Sequence, residues 1–426
     1  MKTEGQSVWV ASLGLDEPGS VAGVNGAPRA DQYQARVLIR MHRAPVGFVH
    51  VATQPWDTLT ERARTAAETT LAEQLRHHSI LDDPPDLDSS KAWPYLAACP
   101  SRFANHGGAG VSAVVCTRNR TELLTNALRT LRGAAYNPLE ILIVDNAPSS
   151  DATKDLVLAL RLQDPRVRYT CEPVPGLSRA RNRGLAEAQF DIVAFTDDDI
   201  LIDPGWPAAI AAGFAADPAA ICVTGLVVSG VLDTSSQRYF DALVGWGEDF
   251  EPRRFDLTEH RLPSALYPFR AGVFGTGANL AVRRSALGPV GVFDPLLGAG
   301  GPCRGGEDLD MLLRIILAGG RICYLPSAMV WHLYHDDTLP LGQEIYSYGH
   351  GLGAYLAKHV PNPQMRAALL RQGLRQVGVV LTRMRRAAQA GRPREGSRRL
   401  VLNQAEGVVI GALRYCRAAR RIHRSS

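Results

Sequence analysis

Three consecutive carboxylates, Asp197, Asp198 and Asp199, follow the apolar run Ile192–Phe195 after a single threonine, Thr196. Adjacent negative charges repel unless a cation neutralises them. Their hard oxygens suit Mg2+ or Mn2+, ions that are commonly held by one or two carboxylates together with substrate phosphates. The same triplet would also serve as a solvated acidic turn ahead of Pro204. Another carboxylate, Asp145, ends the run EILIVD, where it could accept hydrogen bonds from a base or a ribose. The segment VDNAPSSDAT would equally make a loop and a helix cap without any ligand.

Two further segments carry charge in patterned form. GLSRARNRGLAEA, residues 176–188, sets Arg179, Arg181 and Arg183 at alternate positions behind a turn-like start. Arginines at a helix start can bind diphosphate oxygens, and they can also make ordinary surface ion pairs. GGEDLD, residues 305–310, leads two glycines into a helix whose first turn holds Glu307, Asp308 and Asp310. Acidic residues there complement the helix dipole, and Asp308 is also placed to act as a general base on an acceptor hydroxyl. Late in the chain, Trp331-His332-Leu333-Tyr334-His335 offers imidazoles that could complete a metal site or pack structurally.

Such groups need a scaffold that gathers them, and the chain between them supplies one. The runs SAVVCT, LEILIVDN, VRYTCE and DIVAFTDDD alternate with the helical patterns RTELLTNALRTLRG, SDATKDLVLALRLQ and LSRARNRGLAEA. Continuous apolar strands alternating with helices specify a parallel sheet covered on both faces. Polar clusters then collect at the carboxyl edge of the strands, where CTRNR, VDNAPSS and TDDD all fall. After Pro204 the pattern reads as irregular, loop-rich from Thr234 to Phe269, with a Gly-rich loop at 298–306 and a helix from Glu307 to Gly319. This half is expected to carry the acceptor side.

Taken in order, VVCTRNR, ILIVDNAPSSDAT, GLSRARNRGL, FTDDD, GTGANLAVRR, GGEDLDMLLRI and VWH resemble the glycosyltransferase family 2 pattern over about half the chain. The resemblance implies a GT-A fold: an α/β, Rossmann-like, mostly parallel sheet flanked by helices. It implies that Thr117, Arg118 and Asn119 hold the nucleotide and that Asp145 reads the base or ribose. Arg179 and Asn182 would line the sugar pocket. Asp197 and Asp199 fall on the DXD-type motif, both as metal ligands and Asp197 also toward ribose or metal-bound groups, with Asp198 on the donor side beside them. Gly277, Asn279 and Arg283 would shape the sugar and acceptor site. Asp308, with Glu307, matches the catalytic ED motif, and His332 matches a metal or diphosphate contact. The implied reaction is one displacement from a UDP-, dTDP- or GDP-sugar onto a hydroxyl acceptor, dependent on Mg2+ or Mn2+ and inverting the anomeric centre. The chain lacks the QxxRW motif and the membrane spans of processive relatives, so a single addition is expected.

The remainder is organised around this core. Residues 1–110 read as an accessory α+β module and linker, with strands in Ala35–Val51 joined by a turn at Ala44-Pro45, and a helix from Thr58 to His77. The core is expected over 111–340, reaching at least His335, and a helical basic extension over 341–426. The 426 residues are 46% hydrophobic and 21% charged, a globular composition that excludes disorder throughout. The net charge of +5 gathers in the arginine-rich tail, for which contact with an anionic membrane is expected rather than nucleic-acid binding. Seven cysteines without a CxxC pair indicate neither zinc nor a disulfide framework. With no signal-peptide pattern and no long apolar run, a cytoplasmic protein is expected, peripheral at the inner face of the membrane. A nucleotidyltransferase lacks support because neither GxGxxG after the first strand nor GxxxxGK[ST] occurs. A catalytically degenerate nucleotide-sugar binder has the intact DDD and GGED against it.

Overall fold

A computed structural model describes residues 7–17, 19–82, 108–270, 272–334, 341–390 and 397–425. Much of the expected linker, and His335, lie outside them. The N-terminal module contains β1 (Val8–Gly14), β2 (Ala22–Gly23), β3 (Gln34–Met41) and β4 (Ala44–Ala52), in the order β2-β1-β3-β4. The β3–β4 turn is His42-Arg43, not Ala44-Pro45. Both residues have positive φ, 49° and 69°, the geometry whose twist matches a two-residue hairpin. The expected single helix is two, α1 (Leu59–Thr70) and α2 (Ala72–Asp82), broken at Leu71. Leu59, Ala63 and Ala67, one stripe of α1, cover one face of the module's sheet. On the other face Val10 and Leu38 pack against Val228, Met329 and Trp331 of the main domain.

The main sheet gathers β5 (Val111–Thr117), β6 (Leu139–Asn146), β7 (Val167–Glu172), β8 (Ile192–Asp197), β9 (Ile200–Ile202), β10 (Ala220–Ser229), β11 (Arg253–Phe255), β12 (Asn279–Arg283) and β13 (Arg321–His332). Their order is β11-β13-β10-β12-β8-β5-β6-β7, with β9 paired to β13. β5 and β6 are buried along their whole length, as strands covered on both faces must be. Helices α3 (Thr121–Gly133), α4 (Ala152–Arg161) and α6 (Trp206–Ala216) cover one face. α5 (Leu177–Glu187) and α8 (Glu307–Leu317) cover the other.

The sheet is mostly parallel, as expected, with β12 antiparallel between β8 and β10, setting Asn279 beside Thr196 and Arg283 beside Ile192. One stretch departs from the sequence reading. α6 and β10 lie in the stretch read as irregular. α6 is apolar nearly all round and buried at every residue from Trp206 to Phe214 except Ala208, so no polar stripe betrays its period.

Past the sheet come α7 (Ser235–Val244) and, in the extension, α9 (Leu341–His359), α10 (Pro363–Ala390) and α11 (Ser397–Ser425). α9 and α11 meet backbone to backbone: a Cβ on Gly353 would strike the Val408 carbonyl, and one on Gly411 the His350 carbonyl. Among the described residues no helix is long and apolar enough to cross a membrane.

Candidate active site

The acidic triplet emerges where β8 ends, and each carboxylate meets a different partner. Asp198 is nearly buried; Thr117 Oγ1 donates to it at 2.7 Å and Arg120 Nη1 at 2.7 Å. Burial and the adjacent Asp199 push the Asp198 carboxyl up, against the pull of Arg120 and Thr117. Asp199 faces Arg120 Nη2 at 3.3 Å and His332 Nε2 at 3.6 Å. His332 arrives there because β13 pairs with β9, His332 opposite Ile200, and because the Leu333 N–H donates to the Asp199 carbonyl at 2.9 Å. Asp197 is the more open carboxylate and lies 3.5 Å from Arg181 Nη2.

Arg181 joins this cluster to the acidic start of α8. Its side chain is 3% exposed, pairs with Glu307 Oε1 at 2.9 Å, and donates to the Gly277 carbonyl at 3.1 Å. Burial works against its charge, but Glu307 and Asp197 outweigh it and hold the guanidinium protonated. The Gly277 N–H in turn donates to Asp308 Oδ2 at 2.8 Å. Asp308 Oδ1 accepts from the Leu309 N–H at 2.8 Å, so each oxygen keeps a lone pair for another donor. A chain of contacts therefore runs from Asp197 through Arg181 and Gly277 to Asp308.

A model of the family described as glycosyl transferase family 2 matches residues 112–287, which include the triplet, Arg181 and Gly277. The chain carries a glycosyltransferase family 2 domain. It is 28% identical over 246 residues to pre-mycofactocin glycosyltransferase of Mycobacterium tuberculosis, covering 58% of this chain and 46% of the relative. To poly-beta-1,6-N-acetyl-D-glucosamine synthase of Staphylococcus aureus it is 25% identical over 246 residues, 57% of this chain and 54% of that one. The chain thus spans about half the length of these curated relatives. A solved mannosyltransferase from Pyrobaculum calidifontis, in complex with GDP-Man and Mn2+, superposes with a TM-score of 0.48 at 18% identity, covering 83% of this chain and 97% of that one.

Within the glycosyltransferase domain, the expected donor residues gather at the carboxyl edges of β5 and β6. Arg118 and Asn119 are exposed there; Asn119, at φ 55°, accepts from the Ser149 N–H at 2.9 Å and so ties the two loops together. The Thr117 hydroxyl is committed to Asp198. Asp145 is fully buried; Oδ2 accepts from the Tyr169 hydroxyl at 3.1 Å, and Oδ1 has no hydrogen-bond partner. Burial raises its carboxyl above the ordinary range.

Some of the expected residues spend their polar groups on the fold itself. Asn182 grips the Phe293 backbone, donating to its carbonyl at 2.8 Å and accepting from its N–H at 2.9 Å, which makes it a positioning residue for that loop. Asn279 is 1% exposed and spends its amide on the Leu226 and Ala328 carbonyls and on Trp206 Nε1. Arg283 sits at the opposite end of β12, its guanidinium 5.0 Å over the Phe214 ring. Because β12 runs antiparallel to β8, four residues carry the chain from the site edge to the far edge. Arg179 is exposed on α5, while Arg181 faces inward. Glu307 is the ion-pair partner of Arg181. The signal for Arg181 was present: Ser178, Arg181, Leu185 and Ala188 recur at helical spacing, which puts Arg179 and Arg183 on the other side. Arg120, which neutralises Asp198 and Asp199, had no such signal.

The residues at the triplet fit a divalent cation of limited protein ligation. Among the described residues no group of three His, Cys, Asp or Glu side chains forms a complete metal cage. Asp199 Oδ1 is buried without a hydrogen-bond partner and faces His332 Nε2. One carboxylate and one imidazole leave the remaining positions to diphosphate oxygens and water, as Mg2+ sites commonly do.

Proposed function

We propose that the domain transfers a single sugar from a nucleotide-diphosphate sugar to a hydroxyl acceptor, with inversion. The observation that carries this reading is the linkage of Asp308 to Asp197 through Gly277 and the buried Arg181. It fixes a candidate base and the donor carboxylates in one rigid frame, which is what a reaction between two bound substrates requires. The acceptor oxygen attacks the anomeric carbon and its proton passes to the Asp308 carboxylate. The bond from that carbon to the diphosphate oxygen breaks, and its electron pair leaves with the nucleoside diphosphate. Attack from the face opposite the leaving group inverts the centre.

The exposed loop of Arg118 and Asn119 and the buried Asp145 hold the nucleotide of a UDP-, dTDP- or GDP-sugar. Asp199 and His332 would hold Mg2+ or Mn2+, which when bound neutralises charge on the departing diphosphate. Release of nucleoside diphosphate from a panel of such sugars, with each metal, tests the reading. One donor should be turned over only with metal, and Asp199→Ala should abolish it. If calorimetry detects no nucleotide sugar binding with metal present, the reading fails.

The extension makes peripheral contact with an anionic membrane at its inner face. Leu402, Val409 and Leu413 lie on one exposed face of α11, opposite the glycines that meet α9, and exposed Arg398, Arg399, Arg417 and Arg420 bracket them. An apolar stripe flanked by arginines suits an interface of acyl chains and negative headgroups. Full-length protein should sediment with phosphatidylglycerol vesicles at low salt, and a Leu402→Glu, Val409→Glu double variant should not. Equal sedimentation of the two would exclude this face.

A further inference from the structure

α9 lies beyond the residues matched by the family, yet one of its faces closes on the site. Glu344, Tyr348, Gly351 and Tyr355 recur at the spacing of a single helical face. Gly351 packs against the loop that launches the catalytic helix: a Cβ on it would lie 2.9 Å from the Gly306 nitrogen, two residues before Asp308. Tyr355 fixes the far end of this face, its hydroxyl donating to the Phe269 carbonyl at 3.1 Å. One turn back from Gly351, Tyr348 remains 42% exposed.

The Tyr348 ring continues an aromatic ladder that starts at the triplet. His332 stacks on Tyr334 at 4.1 Å between centroids, Tyr334 meets Phe240 edge-on at 4.9 Å, and Phe240 meets Tyr348 at 5.3 Å. Although 42% of the residue is open to solvent, burial around the phenol, and then the charges of Glu344, Asp308, Asp197 and Asp199 within electrostatic reach, hold it protonated. Glu344 lies one turn before Tyr348 on the same face of α9.

We propose that Tyr348 and Glu344 form the acceptor subsite and that it takes a neutral sugar ring, the ring resting on Tyr348 and its hydroxyls donating to Glu344. This rests on the glycosyltransferase reading above. An aromatic face offers apolar contact to the C–H side of a sugar, and a carboxylate oxygen accepts from its hydroxyls. Arg181 and Arg120 offset Asp197 and Asp199, so Asp308 and Glu344 supply the negative charge that disfavours an anionic acceptor. A simple phenol would leave Glu344 without the several hydroxyl donors that a sugar supplies.

The test uses full-length protein, the donor found by hydrolysis, and methyl glucosides, galactosides and mannosides of both anomers, with methyl glucuronide and 4-methylphenol as comparators. Methyl aglycones keep an aromatic group from mimicking the effect. At least one neutral glycoside should accept the sugar. Tyr348→Ala should raise its KM roughly threefold to tenfold, the loss of one aromatic contact, and shift donor turnover from transfer toward hydrolysis. Tyr348→Phe should restore both. Glu344→Gln, nearly isosteric, should raise the acceptor KM independently should Tyr348→Ala fold poorly. Transfer only to the glucuronide or the phenol, no transfer to any neutral glycoside while donor is hydrolysed, or unchanged KM in Tyr348→Ala and Glu344→Gln would each overturn the subsite. Absent donor binding would instead overturn the glycosyltransferase reading beneath it.

Discussion

Arg181 Nη1 and Glu307 Oε1, 126 residues apart in sequence, meet at 2.9 Å with their side chains 3% and 8% exposed. The pair joins the helix after β7 to the helix that presents Asp308, so one contact fixes the distance between the carboxylates at the end of β8 and Asp308. Removing one partner of a buried pair strands the other charge in low dielectric, at a cost of about 3–5 kcal/mol. Arg181→Met should therefore lower the urea midpoint sharply. Adding Glu307→Leu should recover much of the stability but not donor turnover, because Asp197 still lacks its counter-charge. Equal recovery of both would show that the pair serves folding alone.

Gly277 stands between the same two groups. A Cβ there would fall 2.7 Å from Arg181 Nη2 and 2.8 Å from Nη1, and neither nitrogen is at the end of a loosely held chain. Gly277→Ala should cost roughly 1–3 kcal/mol by overpacking. It should also reduce transfer by more than about tenfold, since displacing Arg181 moves the Asp308 support with it. Thermal unfolding and turnover measured on one preparation check both effects.

Asp308→Asn keeps an acceptor oxygen for the Gly277 N–H but cannot take a proton. Transfer should fall by about 10²–10⁴-fold, the range for loss of a general base. Calorimetric affinity for the nucleotide sugar should stay within about threefold. A variant that transfers at the parental rate would assign the base elsewhere.

Arg283 gives the opposite kind of test, because it lies at the far edge of the sheet over Phe214. Arg283→Gln should leave donor and acceptor KM within about twofold and cost roughly 1 kcal/mol or less of stability. A large rise in either KM would return Arg283 to the site.

Asp310 sets an acid limit on stability. Burial works to raise its carboxyl, but the hydrogen bond to His359 and the charges of Arg314 and Lys358 outweigh it and hold it at about 2. Because the folded value lies below the unfolded one, its contribution is complete above about pH 4. It is lost as pH falls from about 4 toward 2, by an amount on the order of 2 kcal/mol. Urea unfolding at pH 5 and pH 3 should show a steeper loss in the parent than in Asp310→Asn. Parallel losses would place the acid sensitivity in other groups.

The sequence by itself determined the alternation of strand and helix from β5 to β8 and the emergence of Asp145 and the Asp197–Asp199 triplet at the strand ends. Those features are local. A continuous apolar run is a strand buried on both faces wherever it sits, and the residue after it falls at the sheet edge. The order of the polar segments carried the family for the same reason. Helical spacing already separated Arg181 from Arg179 and Arg183, but tertiary structure decided that the side bearing Arg181 is the one that meets the carboxylates, through packing of α5 on β5, β6 and β7 and the pair with Glu307. It also decided that β12 runs antiparallel, which keeps Asn279 near the site edge but sends Arg283 away. The docking of α9 on the Gly305–Gly306 loop was likewise hidden. Contacts between segments tens or hundreds of residues apart depend on two surfaces at once, and no periodicity within either segment records the other.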